Sequence, residues 1–176
     1  MMKRKKGLQS VIFLICCAFL IALDQYTKYL ASAHLQTGPF VILEGIFEFH
    51  YTINRGAAFG IFQNQIVYFL IVTVLLLFLI GYTLWKMPSE KKYRPMRGIL
   101  IILTAGALGN MIDRLFLGYV IDFLYFKLIN FPIFNVADCY VCIAAFLFFF
   151  AMMFYYKDGD FAFLIPARRS RKDDCK

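Results

Sequence analysis

Four long stretches without a charged side chain constrain the fold of this chain more than any other feature. They cover residues 7–23, 56–85, 98–112 and 139–156. About 20 helical residues cross a hydrocarbon core roughly 30 Å thick, so each stretch could hold a membrane-spanning helix. Aliphatic, aromatic and sulfur-containing residues make up 61% of the chain and charged residues only 17%, a balance too apolar for a soluble domain of 176 residues. The pattern predicts one all-α polytopic membrane domain over residues 1–176, with transmembrane helices at about 8–30, 65–86, 98–115 and 137–156.

The basic residues lie at the ends of these stretches and predict how the chain is oriented. All but four of the 19 lysines and arginines fall before the first stretch, between the second and third, or after the fourth. Because basic loops stay cytoplasmic, both termini and the central loop are expected inside, with residues 34–64 and 117–135 outside. Anionic lipid head groups account for the net charge of +8, and no nucleic-acid partner is expected.

The N-terminus has a second interpretation, as a cleaved secretory signal. A basic region precedes an apolar core, and Ala31-Ser32-Ala33 resembles a small-residue cleavage site. Against it, Asp24 and Lys28 stand between the apolar core and that site, and three more spanning stretches follow.

The outer segments contain β-prone sequence. Residues 40–51 are rich in β-branched and aromatic residues and are broken by Gly45, which predicts a short hairpin. Residues 119–125 could add another strand, giving a small extracytoplasmic β-sheet between short outer loops. The small residues of the segment 54–60 permit close backbone approach, and helix packing is a sufficient explanation for them.

Helix geometry places several acids at one level, near the outer boundary of the bilayer. The 15 residues between Arg97 and Asp113 span only about 22 Å, which is less than the hydrocarbon thickness. Asp113 and Arg114 are therefore expected below the outer surface. The same rise per residue places Asp24 and Asp138 at a similar height in the first and fourth helices.

Ionisable groups at that depth usually face one another or a cavity. Asp24 and Lys28 share a helix face at i to i+4, as a salt bridge, a functional pair or both. Asn110 and Asp113 share a face at i to i+3, and a structural ion pair of Asp113 with Arg114, or of either with a neighbouring helix, is expected.

Two further aspartates have different explanations. Asn135, followed three residues later by Asp138, is typical of a helix N-cap, and capping alone would explain that acid. Asp122 lies in a β-prone apolar run with no evident cap or basic neighbour, so an unpaired acid there needs another reason.

The residue inventory favours carboxylate chemistry. The chain has four serines, none in a Gly-x-Ser-x-Gly context, and its two histidines form neither a triad pattern nor a His-Glu-x-x-His motif. Two carboxylates brought close together cannot both ionise easily, so one keeps a proton while the other acts as a base toward water. We expect Asp138 to be the more acidic member and Asp122 to hold the proton.

Five segments of the chain match the motifs of one family. They are Asp24-Gln25-Tyr26-Thr27-Lys28, Asn54-Arg55-Gly56-Ala57-Ala58-Phe59-Gly60, Gly109-Asn110-Met111-Ile112-Asp113-Arg114, Val120-Ile121-Asp122-Phe123 and Phe134-Asn135-Val136-Ala137-Asp138. With these segments in order on four predicted spanning helices, the chain resembles lipoprotein signal peptidase, also called signal peptidase II, over nearly its whole length.

The resemblance implies an intramembrane aspartic endopeptidase that removes the signal peptide from diacylglyceryl-modified bacterial prolipoproteins, cutting just before the lipidated cysteine. It implies that Asp122 and Asp138 are catalytic. It also implies a set of residues that bind substrate or support the site, which are Asp24, Lys28, Asn54, Gly56, Asn110, Asp113, Arg114, Asn135 and Ala137. The expected partners are these prolipoproteins and membrane lipids, with no metal or cofactor. A monomer is expected in the bacterial cytoplasmic (inner) membrane, with its active site near the outer leaflet surface.

A small proton- or ion-coupled transporter is the alternative from another class, because it too would carry acids within the membrane. Transporters place such acids near the midplane. Here they are predicted at the outer edge, which favours the peptidase.

Overall fold

The computed structural model describes residues 2–56 and 65–164, with side chains from residue 7 onward. Residues 57–60 of the second motif, the basic side chains of residues 3–6 and the basic tail beyond residue 164 lie outside the described part of the chain.

Four α-helices that are long and apolar enough to cross a membrane make up most of the described chain. They are α1 (Met2–His34), α2 (Ile66–Lys86), α3 (Arg94–Phe116) and α4 (Val136–Phe150), the last of which continues as a π-helical turn over Ala151–Tyr155. The predicted class, a polytopic membrane protein with four spanning helices and a small sheet, is confirmed.

Two helices extend further than the uncharged stretches suggest. α1 continues to residue 34, and α3 begins at residue 94. α3 begins early because a 3-10 turn over Lys91–Tyr93 leads directly into it and Pro95 occupies its first turn, where a missing N–H is tolerated. The guanidinium of Arg97, inside this first part of the helix, donates a hydrogen bond to the carbonyl of Pro88.

α3 lies at the centre of the bundle and packs against the other three helices. Nine of its residues are buried, whereas α2 buries only Ile80. A Cβ atom built on Gly106 would lie 2.6 Å from the carbonyl oxygen of Ala137 and 2.8 Å from a methyl carbon of Val141. The absence of a side chain at Gly106 therefore lets α3 approach the first turns of α4 closely.

A three-stranded antiparallel sheet lies at the end of the bundle where α1 and α3 end and α4 begins. Its strands are β1 (Phe40–Leu43), β2 (Phe47–Asn54) and β3 (Val120–Phe126), in the order β1-β2-β3. The predicted hairpin and the additional strand are confirmed. The pairing of β2 with β3 shifts between Phe49 and Thr52, and a bulge of this kind redirects side chains. Beyond the shift, Thr52 pairs with Asp122 and Asn54 with Val120.

Replacing Gly106 by alanine is expected to destabilise the protein, because the new Cβ would meet the backbone of α4. We expect a loss of about 1–3 kcal/mol in the free energy of unfolding, measured by chemical unfolding in detergent. Gly98→Ala in the same helix is the matched control, since nothing lies within 4 Å of its Cβ position. There the added methyl group should be neutral or stabilise by up to about 1 kcal/mol. Equal effects at the two positions would contradict the close packing of α3 on α4.

Candidate active site

The side chain of Lys28 lies at the centre of a buried polar cluster between α1 and α3. It is 1% exposed. Its Nζ lies 3.0 Å from Asp24 Oδ2, 3.0 Å from Asp113 Oδ2 and 2.9 Å from Asn110 Oδ1. A lysine ammonium has three protons to donate, and here each has an acceptor. We call these four residues the Lys28 cluster. Both expected ion pairs, within α1 and from Asp113 to a neighbouring helix, are confirmed.

The two carboxylates of the Lys28 cluster also hold backbone segments of the site. Asp24 Oδ1 accepts a hydrogen bond from the backbone N–H of Ala137 at 2.8 Å, and Asp113 Oδ2 accepts one from the N–H of Ile121 at 3.1 Å. Ala137 and Ile121 each directly precede one of the predicted catalytic aspartates. The cluster therefore fixes the start of α4 and the start of β3 relative to α1 and α3.

Gln25 and Gly109 complete the packing of the Lys28 cluster, and the sequence alone assigns neither a role. Nε2 of Gln25 lies 2.9 Å from Asp113 Oδ1 and 3.1 Å from the carbonyl oxygen of Gly109. A Cβ atom on Gly109 would lie 2.6 Å from Asp24 Oδ2. Any larger residue at this position would therefore displace the Asp24 carboxylate.

Asp122 and Asp138 lie in one hydrogen-bonded network, held by amide groups. Asp122 accepts hydrogen bonds from Nδ2 of Asn54 at Oδ2 (2.8 Å) and from Nδ2 of Asn135 at Oδ1 (2.6 Å). Asp138 accepts from Nδ2 of Asn110 at Oδ1 (2.7 Å) and from the backbone N–H of Asn135 at Oδ2 (3.1 Å). Each of the four carboxylate oxygens thus has one amide donor.

The orientation of each asparagine amide follows from its neighbours. Asn110 turns its oxygen to Lys28, which can only donate, and its nitrogen to Asp138, which as an anion can only accept. The oxygen of Asn54 accepts from the backbone N–H of Gly56 at 2.9 Å, which leaves its nitrogen for the carboxylate on β3. In both asparagines, the neighbour of the amide oxygen therefore fixes the amide so that its N–H donors face an aspartate.

Asn135 both begins α4 and connects the two aspartates. Its oxygen accepts from the backbone N–H of Asp138 at 3.0 Å, and together with the reciprocal bond this forms a capping box. Its nitrogen donates to Asp122 and, at 3.0 Å, to the oxygen of Asn110. The predicted N-cap is confirmed. Capping does not separate Asp138 from the site, because the same asparagine binds both acids.

The two aspartates differ in their surroundings. Asp122 is 1% exposed, whereas Asp138 is only half-buried. Burial is the main cause that raises the pKa of Asp122 to about 7, the nearby charge of Asp138 adds to the rise, and the amides of Asn54 and Asn135 oppose it. Asp122 can therefore hold a proton near neutral pH.

Arg114 borders this network from the last turn of α3. Its Cζ lies 4.7 Å from the ring centroid of Phe69 in α2, and its Nη1 lies 3.5 Å from the carbonyl oxygen of Asn110. It is close enough to Asp138 and Asp122 to interact with both carboxylates electrostatically. Every residue predicted for the site thus lies in this network or directly against it, while the contact with Phe69 is not apparent from the sequence.

The sequence and the fold are both similar to those of known proteins. Residues 16–154, which include every predicted site residue, match the family described as signal peptidase (SPase) II. The lipoprotein signal peptidase of Caldanaerobacter subterraneus subsp. tengcongensis is 39% identical over 143 residues, which cover 80% of this chain and 95% of that protein. The lipoprotein signal peptidase of Streptococcus pyogenes is 36% identical over 140 residues, 77% of this chain and 89% of that protein. A bacterial membrane enzyme solved by the in meso method at 1.9 Å resolution has a TM-score of 0.70 and 29% identity over 82% of this chain and 94% of that chain.

Replacing Lys28 by methionine is expected to lower the free energy of unfolding by about 3–5 kcal/mol, because two buried carboxylates lose their counter-charge. Chemical unfolding in detergent measures the loss. Lys127→Met is the matched control: its Nζ lies 3.0 Å from Glu48 Oε2, but its side chain is 52% exposed, so the loss should be much smaller. A Lys28→Met protein as stable as the wild type would contradict an ionised cluster.

Proposed function

The chain belongs to the signal peptidase II family, and from this we propose that it removes signal peptides from bacterial prolipoproteins by aspartic catalysis. The substrate is a prolipoprotein whose cysteine already carries diacylglycerol, and the cut falls directly before that cysteine. The observation that carries the proposal is the amide network that joins Asp122 and Asp138, together with the family match over residues 16–154, which includes both residues.

The two aspartates have complementary roles in the attack on the peptide bond. The raised pKa of Asp122, about 7, supports a proton on this residue. The partial positive charge at the start of α4 favours the anion of Asp138. Asp138 accepts a proton from a water molecule while the water oxygen bonds to the scissile carbonyl carbon, and Asp122 donates its proton to the carbonyl oxygen.

Collapse of the tetrahedral intermediate completes the reaction. The C–N bond breaks, and the leaving amine takes the proton that Asp138 received from water. The hydroxyl of the intermediate returns its proton to Asp122 as the new carboxyl group forms. The pair titrates jointly, so either aspartate can hold the shared proton during turnover.

The position of the network suits a lipid-anchored substrate. It lies at the end of the bundle where α1 and α3 end and α4 begins, next to the three-stranded sheet. We propose that this end faces the outer surface of the bacterial cytoplasmic membrane, with both termini cytoplasmic, because the basic residues concentrate on the opposite side. A bond next to a diacylglyceryl cysteine is held at this boundary between acyl chains and water. All the residues of the proposed site come from one chain, so a monomer is sufficient for the proposed chemistry.

The first helix is retained in this proposal. Asp24 and Lys28 both precede the alternative cleavage site after Ala33, so cleavage there would remove them from the Lys28 cluster. The family match also begins within this helix, at residue 16.

A transporter is less well supported. The acids of the site lie at one end of the spanning helices, where ion-coupled transporters do not usually place them. Turnover of a lipid-modified precursor by purified protein in detergent, without a sealed compartment, would exclude transport as the main activity.

Asp122→Asn and Asp138→Asn are each expected to lower kcat/KM by about a hundredfold to ten-thousandfold or more, because each removes one proton-transfer group. Mass spectrometry of a diacylglyceryl-modified precursor peptide measures the cleavage and its position. Asp158→Asn is the matched control, since Asp158 is exposed beyond the other end of α4 and should leave activity unchanged. Substantial activity in either Asp122→Asn or Asp138→Asn, with the fold retained, would exclude the two-aspartate mechanism.

The rate is expected to fall as pH rises through about 7, because Asp122 must keep its proton and its pKa lies there.

Asn54→Ala removes an amide donor that favours the Asp122 anion, so the pKa of Asp122 should rise and the alkaline limb of the pH profile should move to higher pH. Profiles of kcat/KM against pH measure both effects. Ile53→Ala, an exposed neighbour on β2, should leave the limb in place. Activity that increases through pH 7, or a limb unmoved by Asn54→Ala, would contradict the assigned protonation.

A further inference from the structure

Phe69 connects α2 to the site. α2 buries little of its surface within the protein, yet the ring of Phe69, near its first turn, lies under the guanidinium of Arg114 with 4.7 Å from Cζ to the ring centroid. The ring of Tyr68 packs edge-to-face on Phe69 at 5.6 Å between centroids. Neither the five motifs nor the predicted site includes Phe69.

Arg114 is held by this ring rather than by an acid. Within residues 2–56 and 65–164, none of the ion pairs involves Arg114. Asp138, Asp122 and Asp113 nevertheless interact with it electrostatically, and of these Asp113 is already paired with Lys28. Its hydrogen bond to the carbonyl oxygen of Asn110 is long, at 3.5 Å. The guanidinium therefore interacts with the charges of these carboxylates but forms no ion pair with them within the described residues.

We propose that Phe69 is a positioning residue that holds Arg114 beside the catalytic aspartates without letting it form an ion pair with them. The inference rests on the proposed function. A guanidinium is attracted to the face of an aromatic ring and can stack flat against it. Its N–H donors, which lie in the plane of the group, then remain free to bind another group. The ring therefore presents a charged donor to the site while Asp138 keeps its oxygens for water.

Loss of the ring would leave Asp138 and Asp122 as the opposite charges that act most strongly on Arg114. Arg114 would then form a charge-assisted hydrogen bond with one of them, a contact that stabilises the anion. The pair would lose the shared proton at lower pH, and one carboxylate oxygen would no longer be available to the attacking water. Both effects reduce turnover, and the first also changes its pH dependence.

The test compares aromatic and aliphatic residues at position 69 in the cleavage assay. Phe69→Leu should lower kcat/KM by about 2- to 30-fold and move the alkaline limb of the pH profile to lower pH. Phe69→Tyr and Phe69→Trp keep an aromatic face and should retain activity and the wild-type limb. Phe78→Leu is the matched control, because Phe78 lies on the same helix and is 74% exposed. If Phe69→Leu does not fold, Phe69→Met preserves volume without a ring and replaces it.

A double-mutant cycle shows whether Phe69 acts through Arg114. Phe69→Leu should lower the unfolding midpoint less in an Arg114→Gln background than in the wild type, a readout that needs no activity. Equal shifts in the two backgrounds, or wild-type kcat/KM and pH profile in Phe69→Leu, would overturn the positioning role. An active Asp122→Asn protein would instead overturn the proposed function. An inactive Asp122→Asn protein beside a fully active Phe69→Leu protein would remove only this inference.

Discussion

The ammonium group of Lys28 is the charge on which the rest of the structure depends. Taking an ionised group out of water costs several kcal/mol unless it is paired and hydrogen-bonded, and this one is satisfied by three acceptors from α1 and α3. The two carboxylates that pair with it also accept hydrogen bonds from backbone N–H groups of α4 and β3. One buried charge thereby determines where four separate parts of the chain meet, and the two candidate catalytic aspartates stand one residue beyond the points of attachment.

The hydrogen-bond donors to the two aspartates are neutral amides, and neutral donors suit the proposed chemistry. A lysine or arginine in direct contact would favour the anion of both acids, whereas an amide donor orients a carboxylate with a smaller effect on its protonation. Lys28 binds Asn110, which in turn donates to Asp138, and Arg114 lies over the ring of Phe69. Burial can then raise the pKa of Asp122 to about 7 while it remains oriented by two amides.

Features that depend on local composition could be predicted from the sequence, and features that depend on the distance between helices could not. The spanning helices follow from uncharged stretches, and the hairpin follows from β-prone residues broken at Gly45. Charged site residues were recognisable because an ionisable group in an apolar stretch needs a partner. Gln25 and Gly109 contact the site because α1 and α3 approach each other closely, and the sequence of neither helix predicts that distance. Phe69 is one of several aromatic residues in an apolar helix. It differs from Phe78 only because α2 packs against α3 at its position, and the sequence does not predict that contact.

The central claim, that Asp122 and Asp138 share one site and one proton, is tested most directly by an NMR titration of isotope-labelled aspartate carboxyl carbons in detergent micelles. Asp122 is expected to titrate with a pKa of about 7 in the wild type, and at a lower pH in Asp138→Asn, where the neighbouring charge is gone and burial remains. An Asp122 that titrates near the ordinary value of an aspartate, or whose titration is the same with and without the Asp138 carboxyl, would show that the two acids do not form a pair.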